Sequence, residues 1–390
     1  MKYLLLYICC IAALLTSSCK DGAVPPTQTC EIDFVDSSQN HPKAAIYQNI
    51  LNTYVKKGLP GAVLYIRDDN GVWIGSAGKA DIDKNINMAP CVVSKVASVT
   101  KMFVGTVAHL MAEEGKFDYD DPAAAYLPAE VVEKVANANC ATIRQLMNHT
   151  SGIYDLTTNS KFYLEVLNNP DQTWDSDELI EFAYGQDANF ACGQRADYSN
   201  TNTMLLGMVL SKIAGRPHHE LVKEKILTPL NLQHVYYYSN VGLPANTAQG
   251  YFDLYNNGTI VNVSNYNTGS GNGYGGMYAT VRDIAIFADA LFRDKTLLKQ
   301  ATLDEMLTFN EEDPYIFLGL GAMKRFSYKG DTKFAYGHTG RDLGYSADCF
   351  YFPNQKTTMT FIVNYGTNAK SGLKQTFLDF EDAVITEITK

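Results

Sequence analysis

Two hydrophobic periods divide the chain. Residues 42–57 carry apolar side chains at helical spacing (Ala45, Ile46, Ile50, Leu51, Tyr54, Val55), and Gly58 stops the run. Pro60-Gly61 leads into Ala62-Val63-Leu64-Tyr65-Ile66, an apolar strand. Asp69-Asn70-Gly71 predicts a hairpin turn, after which Val72-Trp73-Ile74-Gly75 returns. Residues 102–111 are helical again, with Gly115 placed as a helix stop. Helix and loop then dominate, with helices predicted at 177–184 and 200–214, and at 281–292 after a stretch rich in Tyr, Asn and Gly. From Ile316 on, β character prevails. Strands are predicted at 318–326, 334–338, 346–352 and 358–364, and residues 372–389 close the chain as a helix. Strands at both ends with helices between them imply an antiparallel sheet built from both chain ends with flanking helices. The α/β lobe covers about 42–92 and 276–390, an inserted all-α lobe covers about 93–275, and a site is expected between them.

The first residues read differently. Lys2 precedes the short apolar run at 4–15, and Thr16-Ser17-Ser18 leads to Cys19. That is the pattern of an export signal over 1–18, too short to span a bilayer. It resembles a bacterial lipoprotein signal, which implies a lipid on Cys19, an anchor in the membrane and a place in the periplasm or cell envelope. Residues 19–41, with Pro25-Pro26, Gly, Ser and Gln, read as a tether to the folded domain at 42–390. Of eight cysteines, Cys9 and Cys10 go with the signal and Cys19 with the lipid. Cys30, Cys91, Cys140, Cys192 and Cys349 remain, enough for at most two disulfides of open connectivity. The net charge of -10 argues against nucleic acid as a partner. No C-x-x-C or H-E-x-x-H occurs, so no metal or other cofactor is expected. Oligomeric state is left open.

The chemistry centres on Ser98-Val99-Thr100-Lys101. At i and i+3 a serine and a lysine share one helix face, so the amine reaches the hydroxyl. The adjoining helix N-terminus offers free N–H groups to a developing oxyanion. S-x-x-K occurs also at Ser17–Lys20 and Ser371–Lys374, but only Ser98–Lys101 is followed at long spacing by two further polar elements. Tyr198-Ser199-Asn200 puts a phenol and an amide in one turn ahead of an apolar helix; the tripeptide recurs at Tyr238-Ser239-Asn240. His338-Thr339-Gly340 follows a strand, where a ring and a hydroxyl can hold an anionic substrate end and Gly340 admits a close backbone. His149, before a turn, reads as a structural hydrogen-bonder.

In this order the three elements resemble the serine hydrolases of the penicillin-recognising fold, in the branch of class C β-lactamases, D-alanyl-D-alanine carboxypeptidases, D-aminopeptidases and related esterases. His149-Thr150-Ser151-Gly152 and Gly275-Gly276-Met277-Tyr278-Ala279-Thr280 match further landmarks. The resemblance implies Ser98 as nucleophile, with Lys101 and Tyr198 sharing the base role. It implies an oxyanion hole from the backbone N–H groups of Ser98 and Arg341. Asn200 would hold the substrate's side amide, and His338, Thr339 and Gly340 its carboxylate end. H-T-G and the string Ser-Val-Thr-Lys are most similar to the carboxypeptidases, so hydrolysis of D-alanyl-D-alanine cell-wall peptides is expected. An esterase, a class C-like β-lactamase and a non-catalytic binder are the alternatives, and the ligand is a small peptide, ester or β-lactam. The family's carboxylate-binding cation would fall at Met323, leaving Lys324 or Arg325 to supply the charge.

Overall fold

The computed structural model describes residues 24–36, 38–170, 172–237 and 242–390. The export signal, Cys19 and the second Tyr-Ser-Asn at 238–240 lie outside the described residues.

A nine-stranded antiparallel sheet carries the fold. Its spatial order is Ile86–Asn87, Gly71–Asp81, Gly61–Asp68, Thr357–Val363, Tyr345–Phe352, Ala335–Asp342, Met323–Arg325, Ile316–Leu318 and Asn310–Asp313. The first long hairpin of the chain thus joins the C-terminal strands through Ala62–Arg67 paired with Thr358–Val363, which is the two-ended sheet expected from the sequence. Alternation sorts its faces. Ala62, Leu64 and Ile66 pack with Phe361, Phe377 and Phe380 under the helices Ala44–Lys56 and Lys374–Ile388. Val63, Tyr65 and Cys349 face the helical lobe and the helix Val281–Ala288.

Two expectations are corrected. The single strand expected at 318–326 is broken at Gly321, whose φ is +88°. A Cβ there would stand 2.9 Å from the Cα of Gly105, so the helix Thr100–Glu113 crosses the chain too closely for a side chain at either position. His109 on that helix donates from Nε2 to Leu320 O at 2.9 Å and fixes the break. Residues 24–36, expected as tether, lie along the body. Thr27 Oγ1 donates to Thr247 O at 2.6 Å and Gln28 N to Ala245 O at 2.7 Å. Residues 38–41 are also docked, since Ile74 N donates to Ser38 Oγ at 2.9 Å. Composition reads as a linker here because the anchors are backbone groups, the hydroxyls of Thr27 and Ser38 and a cysteine, which carry no hydrophobic period.

The open disulfide pattern resolves into Cys30–Cys91 and Cys140–Cys192, with Cys349 free and buried. Cys30–Cys91 pins the N-terminal arm, and Cys140–Cys192 closes a separation of 52 residues ahead of the Tyr198 turn. Opening a loop of this size costs about 4 kcal/mol in the chain-entropy picture. The double variant Cys140→Ser with Cys192→Ser is therefore expected to unfold several degrees below the parent in a calorimetric scan. An unchanged midpoint would show that the bridge does not restrain the unfolded chain.

Candidate active site

Ser98 lies in a short 3-10 turn, Ala97–Val99, that runs directly into the helix Thr100–Glu113. Val99 stands at the N-cap position without a side-chain cap bond, so Ser98 is not present as a cap. Ala97 has φ +49°, the left-handed region that costs a residue with a Cβ free energy. Thr100 Oγ1 donates to Ala97 O at 2.6 Å and Val96 N to Met277 O at 2.9 Å, holding the turn. Gly340 is required beside it, because a Cβ there would meet Val96 O at 2.1 Å.

The turn delivers Ser98 Oγ to within 3.0 Å of Lys101 Nζ and 2.8 Å of the Tyr198 hydroxyl. Lys101 is 2% exposed. Its Nζ also meets Asn200 Oδ1 at 2.8 Å and Tyr274 O at 2.5 Å. Burial pushes the ammonium down from 10.5 to about 7, against the opposing pull of the Asp155 and Asp342 carboxylates. Burial likewise pushes the Tyr198 phenol far up, so it keeps its proton. These directions distribute the protons. A neutral amine has two N–H donors and one lone pair. Tyr274 O and Asn200 Oδ1 accept the two donors, which leaves the lone pair for the Ser98 O–H. The Tyr198 O–H then donates to Ser98 Oγ. The arrangement makes Lys101 the base toward Ser98 and Tyr198 a proton donor.

The remaining expected residues fall into two groups. Asn200 lines the same cavity as Ser98, but its amide is engaged by the protein. Its oxygen accepts from Lys101 Nζ, and its Nδ2 donates to Asp155 Oδ2 at 3.0 Å and Thr157 Oγ1 at 3.1 Å. It orients the lysine; the expectation was that it holds the substrate's side amide. His338 is 3% exposed and donates from Nδ1 to Thr339 O at 2.5 Å. Burial and the nearby Lys101 hold it neutral, so it supplies no cation for a carboxylate. Its ring lies 6.0 Å from that of Tyr198, on which His149 stacks at 4.6 Å. His149 Nδ1 accepts from Ser199 N at 3.2 Å, the structural role expected of it. Thr339 is half-buried with its hydroxyl 3.9 Å from Met323 Sδ. Strand pairing places Met323, Arg325 and Thr339 on one sheet face, while Lys324 lies on the other with Nζ 4.6 Å over the Phe334 ring.

The cavity at Ser98 has a volume of about 260 Å³ and is walled by Phe162, Tyr163 and Tyr274, with Asn200, Arg341 and Asp342 among its polar groups. A larger hollow of about 640 Å³ lies against Trp174 and Met208 and includes none of Ser98, Lys101 or Tyr198, so it is not the reaction site. Three acids at the site were not anticipated. Asp155 holds Asn200; Glu312 Oε1 accepts from Tyr198 N at 2.7 Å; Asp342 pairs with buried Lys95 at 2.8 Å. Asp155 lies in a loop, Glu312 inside the strand Asn310–Asp313 and Asp342 at a strand end, and only long-range pairing reveals them.

The family model described as Beta-lactamase matches residues 45–383. A D-stereospecific amidohydrolase from Streptomyces sp. has 31% sequence identity and a TM-score of 0.76, covering 86% of this chain and 97% of that one. The D-amino acid amidase of Ochrobactrum anthropi SV3 shares the fold at 23% identity and TM-score 0.78, covering 88% and 97%. Protein flp of Staphylococcus aureus (strain MRSA252) is 26% identical over 221 residues, 56% of this chain and 43% of that protein, so the chain spans less than half the length of that relative. With Ser98, Lys101 and Tyr198 gathered on this scaffold, the chain belongs to the β-lactamase family and has the penicillin-recognising fold.

Proposed function

We propose that the protein is an amidohydrolase that cleaves the amide bond following a D-configured aminoacyl group, through an acyl-enzyme on Ser98. The observation that carries this is the hydroxyl of Ser98 held between a lysine amine at 3.0 Å and a phenol at 2.8 Å. The amine titrates near neutrality and the phenol stays protonated. Ser98 Oγ attacks the carbonyl as its proton passes to Lys101 Nζ. The oxyanion is met by the backbone N–H groups of Ser98 and Arg341. As the tetrahedral adduct collapses, the departing nitrogen takes the Tyr198 proton and Lys101 restores it. Water then adds to the ester with Lys101 as base, and Ser98 recovers its proton as the acid departs.

The cavity supports an amide over a peptide ending in a free carboxylate. Its basic groups are engaged. Arg341 is paired with Asp348 and Glu381, and Lys95 behind the wall with Asp342. Its rings offer an apolar surface to a side chain, and the 31%-identical neighbour is named a D-stereospecific amidohydrolase. The test is turnover of D- against L-phenylalanine amide, read as ammonia release. A preference for D of at least about tenfold, the scale of one misplaced apolar contact, is expected. Equal rates would remove the stereochemical part of the proposal.

The carboxypeptidase reading keeps one specific support, the common sheet face of Thr339 and Arg325 beside Met323. If that pair receives a C-terminal carboxylate, Thr339→Val and Arg325→Ala each lose a charge-assisted hydrogen bond, about 1.5–3 kcal/mol. On peptides ending in D-Ala-D-Ala, kcat/KM would then fall about tenfold to a hundredfold while hydrolysis of a neutral p-nitrophenyl ester hardly changes. The amidase proposal expects no such contrast. An esterase or β-lactamase on the same scaffold would show its own preferred turnover in this panel, and a silent binder none.

Export is proposed with the same function. Two disulfides are at home in an oxidising compartment, and the export pattern ahead of Cys19 makes that cysteine the proposed anchor. Wild-type protein is expected in the membrane fraction, with Cys19→Ala released or unprocessed. A wholly soluble wild-type protein would contradict the anchor.

A further inference from the structure

The Arg341 side chain holds its own peptide group. The two N–H groups of Nη1 are shared among three acceptors, Gly340 O at 2.8 Å, Ala347 O at 2.8 Å and Asp348 Oδ1 at 2.6 Å, and Nη2 donates to Glu381 Oε1 at 2.9 Å. The guanidinium lies 4.6 Å over the Phe377 ring. Gly340 and Ala347 face each other across adjacent antiparallel strands. In such a ladder the carbonyls of a facing pair either both enter the gap between the strands or both turn away from it. One nitrogen can reach both oxygens only in the first case, so the Gly340 carbonyl points toward the strand Tyr345–Phe352.

The orientation of that carbonyl fixes the N–H. Among the described residues there is no cis peptide bond. In a trans peptide the C=O of Gly340 and the N–H of Arg341 point in opposite directions. The Arg341 N–H therefore leaves the other edge of the strand Ala335–Asp342. That edge is bare here, because pairing with Met323–Arg325 ends at Gly337. Ser98 and Arg341 line one cavity, and Val96 and Ala97 sit against Gly340.

We propose that the Arg341 guanidinium is the positioning element of the oxyanion hole. By gripping the Gly340 carbonyl it sets the tilt of the peptide whose N–H meets the oxyanion. Asp348 and Glu381, with side chains 0% and 8% exposed, hold the guanidinium from the C-terminal helix side. Asp348 reaches the arginine through Oδ1; burial pushes this carboxyl up, and the Arg341 guanidinium is the group that pulls it back down. The inference rests on the acyl-enzyme reading above and adds a side chain that touches no reacting atom.

The test compares wild type with Arg341→Lys, Arg341→Met and the triple variant Arg341→Met, Asp348→Asn, Glu381→Gln. The triple variant replaces the two carboxyl groups that a lone Arg341→Met would leave buried without their cation, so it still tests the inference if the single variant fails to fold. The substrate is D-phenylalanine p-nitroanilide, and the probe is phenylboronic acid, whose tetrahedral serine adduct places an oxygen in the hole. Loss of aim should lower kcat about tenfold to a hundredfold, less than the loss of a whole oxyanion donor. KM should stay within about threefold, and the boronate Kd should rise by the same factor as kcat falls. Arg341→Lys, which can still reach the carbonyl, should recover most of the loss. A folded triple variant with kcat and boronate affinity near wild type overturns the inference, as does a defect confined to KM. A wild-type protein that neither turns over the anilide nor is labelled at Ser98 overturns the acyl-enzyme reading itself.

Discussion

Ser98→Ala is expected to fold normally and to lose kcat/KM on D-phenylalanine amide by on the order of 10⁵ or more, the scale at which a nucleophile acting within a catalytic unit is missed. The change removes one half-buried hydroxyl and two hydrogen bonds, to Lys101 and Tyr198. No helix cap goes with it, since the helix begins after Val99 without a side-chain cap. Lys101 keeps Asn200 Oδ1 and Tyr274 O as acceptors. The stability cost should therefore stay near about 1 kcal/mol, the net worth of a hydrogen bond. Activity and thermal midpoint measured on one preparation separate the two effects. Substantial residual turnover would place the nucleophile elsewhere.

Lys101→Met carries the second large effect, with opposite signs for activity and stability. Wild-type kcat/KM should rise with pH through about 7, as the buried ammonium loses its proton and the amine becomes able to accept the one from Ser98. The methionine variant should lose about 10²–10⁴ in rate, the usual contribution of a positioned base, and should lack that ascending limb. Its stability should increase. A shift from 10.5 to about 7 corresponds to a native-state penalty on the cation of about 5 kcal/mol at most. Below pH 7 both folded and unfolded chains carry the proton, and the penalty is fully present. Between about 7 and 10.5 the folded lysine is neutral while the unfolded one is charged, so stability climbs with pH. Above that window the penalty is gone. A methionine side chain has no charge to bury, so the variant should melt several degrees higher at pH 6 and lose this advantage by pH 10. A lower melting point at pH 6 would mean that the three oxygen acceptors stabilise the ammonium more than burial destabilises it.

Much of this was legible in the residues themselves. The hairpin at Asp69-Asn70-Gly71, the helix Asn200–Ala214 and the C-terminal helix follow from turn chemistry and period, which are local. Ser98, Lys101 and Tyr198 were found because their spacing and order form a motif. The break at Gly321 was not legible, since its cause is Gly105, more than two hundred residues away in sequence. The same holds for Asn200 and His338. Their motif positions were visible, but what they do depends on Asp155, on burial, and on the Thr339 carbonyl. The docked segment ahead of the first helix reads as tether because a disulfide and isolated backbone and hydroxyl hydrogen bonds hold it. Sequence patterns report what an element buries. They are silent on which distant atom completes a polar group.

The most direct measurement is a rapid acid quench of wild-type protein during turnover, or during reaction with benzylpenicillin, followed by peptide mass mapping. The expected result is one acyl mass on the tryptic peptide of residues 96–101, absent from Ser98→Ala. Its formation rate should rise with a midpoint near pH 7, the value to which burial lowers Lys101. An acyl group found on any other peptide, or turnover with no covalent adduct at all, would contradict the account.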